Sequence, residues 1–114
     1  MRKQSAGLIL VVAVLAVFFT LGAAPAWAAD AAAGKDLYST KCKSCHGADG
    51  AGNPAIAKML KVEFRHLGSP EVQKYKDDEL KKRITAGEGK MKPVPGLSAA
   101  DLANVIAFVR TLKK

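Results

Sequence analysis

The chain has 114 residues, enough for one domain and no more, and carries 18 Lys and Arg against 10 Asp and Glu, a formal charge of +8. That balance would suit nucleic acid, but the lysines are scattered rather than interleaved with aromatics in a groove-like run, which argues against that partner class. A solvated face, or a surface attractive to acidic protein partners or anionic lipid, fits the basic balance better.

The first predicted element is an export signal. Met1-Arg2-Lys3 is a short basic start, Gly7 to Leu21 is an apolar run interrupted at Thr20, and Ala26-Trp27-Ala28 is an A-x-A cleavage site. The expectation is a cleaved leader over 1–28 and a mature domain over 29–114, exported to the periplasm and without stable membrane insertion. The absence of charge between Lys3 and Asp30 also makes the segment long enough for an uncleaved anchor. Loss of Arg2 and Lys3 lowers the charge from +8 to +6. Loss of Trp27 removes the lone tryptophan. What remains is a thin core, of the kind that a staple or a large ligand must complete.

The mature part reads as helices joined by Gly- and Pro-containing loops, an all-α pattern. Residues 30–45 form a first helix in which Gly34, Tyr38 and Cys42 share a face at spacing four. Gly34 is a poor helix former, so its presence points to close packing. Residues 47–54, GADGAGNP, are a loop. Residues 54–61 give a short helix with Pro54 at its first position. Ser69-Pro70-Glu71 opens another over 69–75. Residues 77–87 run from an acidic start to a basic end, with Gly87 as the stop. A second loop, GEGKMKPVPG, follows over 87–96. In the last helix Ser98 caps and Asp101 sits three residues later. Leu102, Val105, Ile106, Val109 and Leu112 form its apolar stripe.

Both cysteines fall in KCKSCHG, residues 41–47. A zinc site wants four ligands, and only Cys42, Cys45 and one histidine offer themselves. A thioredoxin-type pair wants a βαβ setting. A disulfide would close a very short loop and leave His46 unexplained. C-x-x-C-H in an exported chain is the pattern of c-type haem attachment. Two thiols form thioethers with the haem vinyl groups, and the following histidine is the proximal iron ligand.

Candidates for the sixth ligand are Met59, Met91 and His66, besides an open position. Met59 lies on a short helix, where core filling is the simpler role. His66 reads as a surface or capping histidine. Met91 has no helix face to fill, and its Gly/Pro loop lies 45 residues beyond His46.

On GKDLYSTKCKSCHGADGAGNP, GEGKMKPVPGLS and LANVIAFVRTL, the chain resembles a small bacterial class I cytochrome c over nearly all of residues 33–114. The resemblance implies a small cytochrome c fold, about four to five helices wrapped around one covalent haem c. It implies Cys42 and Cys45 as the attachment sites and His46 and Met91 as the iron ligands. Gly34 and Tyr38 would pack against Val105 and Phe108 where the terminal helices cross. Pro54 would match the proline whose carbonyl accepts a hydrogen bond from the proximal histidine. Relatives place a tryptophan near the haem propionates. The mature chain has none, and Tyr75 or Arg83 would stand in.

A closed Met/His coordination disfavours chemistry on small molecules and favours a one-electron carrier. The expectation is a monomeric electron-transfer protein, not an enzyme. It docks on acidic surfaces of redox proteins through Lys41, Lys43, Lys90 and Lys92. Two alternatives stay open: a peroxidase or gas-binding protein with an open sixth site, and a haem c subunit of a larger oxidoreductase.

Overall fold

The computed structural model describes residues 28–114, so the expected leader lies, but for Ala28, outside the described residues. Among the described residues there are six helices and no strand: α1 (Ala31–Lys41), α2 (Lys43–His46), α3 (Pro54–Leu60), α4 (Pro70–Gln73), α5 (Asp77–Ala86) and α6 (Ala99–Thr111).

Capping chemistry sets most of the boundaries. Asp30 caps α1 by accepting from the Ala32 and Ala33 amides. Ser98 and Asp101 complete both bonds of a capping box, each 3.0 Å, so aspartate serves at the third position as glutamate commonly does. Ser69 caps α4 with Pro70 first, and α4 stops at Gln73. Glu79 accepts from the Lys76 amide and closes the start of α5. The expected first helix over 30–45 divides at Cys42, whose backbone leaves helical geometry at φ −121° and ψ −34°.

The terminal helices α1 and α6 cross at Gly34. A Cβ there would lie 1.8 Å from the Asn104 carbonyl oxygen, so only glycine permits this approach. Tyr38 and Phe108 stack at the same crossing, with ring centroids 4.9 Å apart and planes tilted by 56°. Two apolar clusters flank α6. Tyr38, Phe108 and Val109 form one, with Cys42, Leu67 and Leu112 packed against it. Val72, Leu80 and Ile106 form the other, joined by Leu67, Tyr75 and Ile84. The predicted stripe of α6 is therefore the spine of the core, with Phe108 added to it.

Polar bonds lock the short helices onto that spine. Gln73 Nε2 donates to the carbonyls of Leu67 and Val109, at 2.8 and 3.0 Å. Arg110 donates to the carbonyls of Gln73 and Tyr75 and pairs with Asp77 at 2.7 Å. The α4–α5 junction is thus tied to the end of α6 by charge-assisted bonds to backbone, stronger than neutral ones.

Candidate functional site

The motif folds as one tight turn. The Cys42 amide donates to Tyr38, ending α1, and the Cys42 carbonyl accepts from the amides of both Cys45 (3.2 Å) and His46 (3.0 Å). Cys42, Cys45 and His46 stand at positions i, i+3 and i+4 of a helical turn, the spacing that shares a face. The loop that follows folds back onto them. Gly52 donates to the His46 carbonyl at 2.7 Å and Asn53 to that of Cys45 at 2.8 Å. The Asn53 side chain donates to the Ser44 carbonyl and caps α3 at Ala55. The Tyr38 hydroxyl donates to the Gly47 carbonyl at 2.6 Å. Burial, with the nearby Cys42 and Asp49 adding to it, pushes this phenol up to about 12.

The site side chains are half-buried. Both thiols are free. Burial first, then the neighbouring Cys45, raises the Cys42 thiol above its ordinary value. Burial lowers the His46 imidazole and keeps it neutral at neutral pH, the form whose ring nitrogen can bind a metal. The Phe64 ring meets His46 edge-on, with centroids 5.5 Å apart.

Met91 lies on a separate element. The amides and carbonyls of Glu88 and Met91 exchange two hydrogen bonds, at 3.0 and 2.9 Å, around a two-residue loop of Gly89 and Lys90. Gly89 has φ +57°, which suits the first loop position of a tight hairpin. Beyond it the Val94 amide donates to the Ile84 carbonyl at 2.9 Å and ties the hairpin to α5. Met91 is half-buried.

The other predicted residues fall elsewhere. Met59 is 68% exposed, so the core-filling role does not hold. On a helix of seven residues Ile56, Ala57 and Leu60 take the inner face, and Lys58 and Met59 point out. His66 is half-buried and caps no helix: its Nδ1 accepts from the Gly68 amide at 2.9 Å in a local turn, and its Nε2 is buried without a partner. Pro54 opens α3 as expected, but the bond from His46 to its carbonyl is not formed: His46 Nδ1 is buried without a partner. Arg83 stacks on Tyr75, 3.9 Å from the ring centroid, and pairs with Glu88 at 3.0 Å. Three contributors escaped the sequence reading. Asn53 carried a signal, since Asn before Pro at a helix start is a cap. The Tyr38 hydroxyl and Phe64 carried none, because their contacts join segments distant in the chain.

The donor set fits a covalently held haem. Two free thiols and a neutral imidazole share one turn. A buried nitrogen without a partner costs about 1–3 kcal/mol, and His46 Nδ1 shares that state with His66 Nε2.

Comparison with known proteins agrees. The family model described as Cytochrome c matches residues 31–113. Cytochrome c6 of Picosynechococcus sp. is 36% identical over 108 residues, covering 90% of this chain and 89% of that protein. Cytochrome c-554(547) of Halothiobacillus neapolitanus is 35% identical over 91 residues, 75% of this chain and all of its own length. A cbb3-type cytochrome c oxidase subunit, CcoP of Rubrivivax gelatinosus, is 30% identical over 84 residues, a quarter of that protein. Among solved structures, the KustC0563 c-type cytochrome superposes with a TM-score of 0.59 at 27% identity, over 71% of this chain and 98% of that one.

Proposed function

The chain belongs to the cytochrome c family, and from that premise we propose that it is a periplasmic one-electron carrier with one haem c bound through Cys42 and Cys45 and ligated by His46 and Met91. When bound, the haem supplies the ferrous–ferric couple. The protein's own residues supply the rest. The doubly bonded Cys42 carbonyl holds both sulfurs and the imidazole on one turn. Bonds from Gly52 to His46 and from Asn53 to Cys45 fix the backbone of the turn, and Phe64 limits the tilt of the His46 ring. The hairpin presents the Met91 thioether, a soft ligand that favours ferrous iron over a second imidazole. The observation that carries this reading is the Cys42–His46 turn, which sets two free thiols and a neutral imidazole on one face.

Lys41, Lys43, Lys90 and Lys92 are all exposed and lie beside the thioether turn and the hairpin. We assign them to weak, salt-sensitive docking of a monomer on acidic redox proteins. No helix of the described residues is long and apolar enough to cross a membrane. We assign release of the mature domain after Ala28 to the A-x-A site of the sequence.

Spectra of the purified protein test the ligand set. The ferric form should show the weak near-infrared sulfur-to-iron band, and the colour should survive denaturation. Met91→Ala should keep the colour and lose the band. A native band in Met91→Ala would remove Met91 from the site. A second reading follows from the CcoP relative: the domain works as a haem c subunit of an oxidoreductase. Purification as a stable complex with an oxidase would favour it.

A further inference from the structure

We propose that Arg83 is a positioning residue for Met91, setting how readily the thioether leaves the iron. The inference rests on Met91 as the sixth ligand. The hairpin bearing Met91 holds itself with one pair of backbone bonds, and a lone hairpin is marginally stable in water. The Val94–Ile84 bond holds its far side, and the Glu88 side needs a hold of its own. Arg83 Nε donates to Glu88 Oε2 at 3.0 Å, and Glu88 is the residue that pairs with Met91. A solvated ion pair would hold little, because ordering two long side chains offsets the attraction. Arg83 is ordered beforehand. Its guanidinium lies 3.9 Å from the Tyr75 ring centroid, and Nη1 donates to the Glu79 carbonyl at 3.3 Å. Tyr75 is fixed in turn, since its carbonyl accepts from Arg110 at 2.6 Å and its ring packs on the Val72–Leu80–Ile106 cluster. A guanidinium fixed on an aromatic face loses less freedom on pairing than a mobile one. The hold therefore runs from the core through Tyr75 and Arg83 to Glu88, and across the backbone pair to Met91.

The test uses the full haem-bearing protein. Carbon monoxide enters the ferrous iron only when the sixth ligand leaves, so its binding rate reads ligand opening. Arg83→Ala should speed that rate by about threefold to tenfold, and its near-infrared band should fade at a lower temperature than in the parent. Arg83→Lys keeps the charge without the planar fork and should fall between. Glu88→Gln should match Arg83→Ala in direction, and it serves if Arg83→Ala folds poorly. Asp30→Ala removes a helix cap on α1, and should lower the melting temperature without changing the carbon monoxide rate. Unchanged rates in both Arg83→Ala and Glu88→Gln, or an equal acceleration in Asp30→Ala, would overturn the assignment. Met91→Ala separates the two readings: if it retains the band, the ligand is wrong; if it loses the band while Arg83→Ala behaves as parent, only the positioning role is wrong.

Discussion

The Cys42–Asn53 turn and the Glu88–Met91 hairpin both serve the site, yet they are built in different ways. The turn is held by backbone. All six main-chain carbonyls from Cys42 to Gly47 accept bonds there, and Cys42 packs into the Tyr38–Phe108 cluster. The hairpin is held by one backbone pair, one tie to Ile84 and one ion pair whose acidic partner is mostly in solvent. A ligand on the first should be rigid, and one on the second should yield first. On the proposed ligand set a carrier would gain from that division, because the attachment and the histidine would stay fixed while the thioether side would tolerate exchange.

Substitutions that strike one region and spare the other measure the contrast. The largest effect is expected at the crossing that supports the turn. Gly34→Val would drive a side chain into the Asn104 backbone, which cannot move aside, and should cost more than about 3 kcal/mol. Denaturant titration would show it, or the yield of coloured protein would collapse. Asn53→Ala removes both the α3 cap and the bond to Ser44, and should cost about 2 kcal/mol by the same titration. Tyr38→Phe removes one buried bond to Gly47 and should cost about 1 kcal/mol, with the near-infrared band intact. Gly89→Ala is the smallest. A Cβ there meets nothing within 4 Å, so the cost is the backbone conformation alone, about 1 kcal/mol or less. Its signature should be faster carbon monoxide binding with little change in melting. If Tyr38→Phe loosened the sixth ligand as much as Gly89→Ala, the two regions would not be independent.

The sequence was most informative where chemistry is local. The Ser69 and Ser98 caps, Pro54 at the start of α3 and the α6 stripe all depend on neighbours within four residues, and each stands where it was expected. Gly34 was legible too, because a poor helix former inside a helix needs a packing reason. What stayed hidden depends on contacts across the chain. Periodicity could not show that Cys42 breaks the first helix, because the break comes from the turn that brings Cys45 and His46 back to its carbonyl. Met59 was misplaced because two turns of helix bury only one narrow face. The pairing of Arg83 with Glu88 and Tyr75 followed from how α5 lies against its own loop, which composition does not encode.

Cys42 ends α1, carries a reactive sulfur and touches the aromatic pair at the helix crossing. The overlap couples two tasks. On the proposed function, a group joined to that sulfur would rest against the aromatic pair, so the same contact that closes the helix crossing would also seat the cofactor.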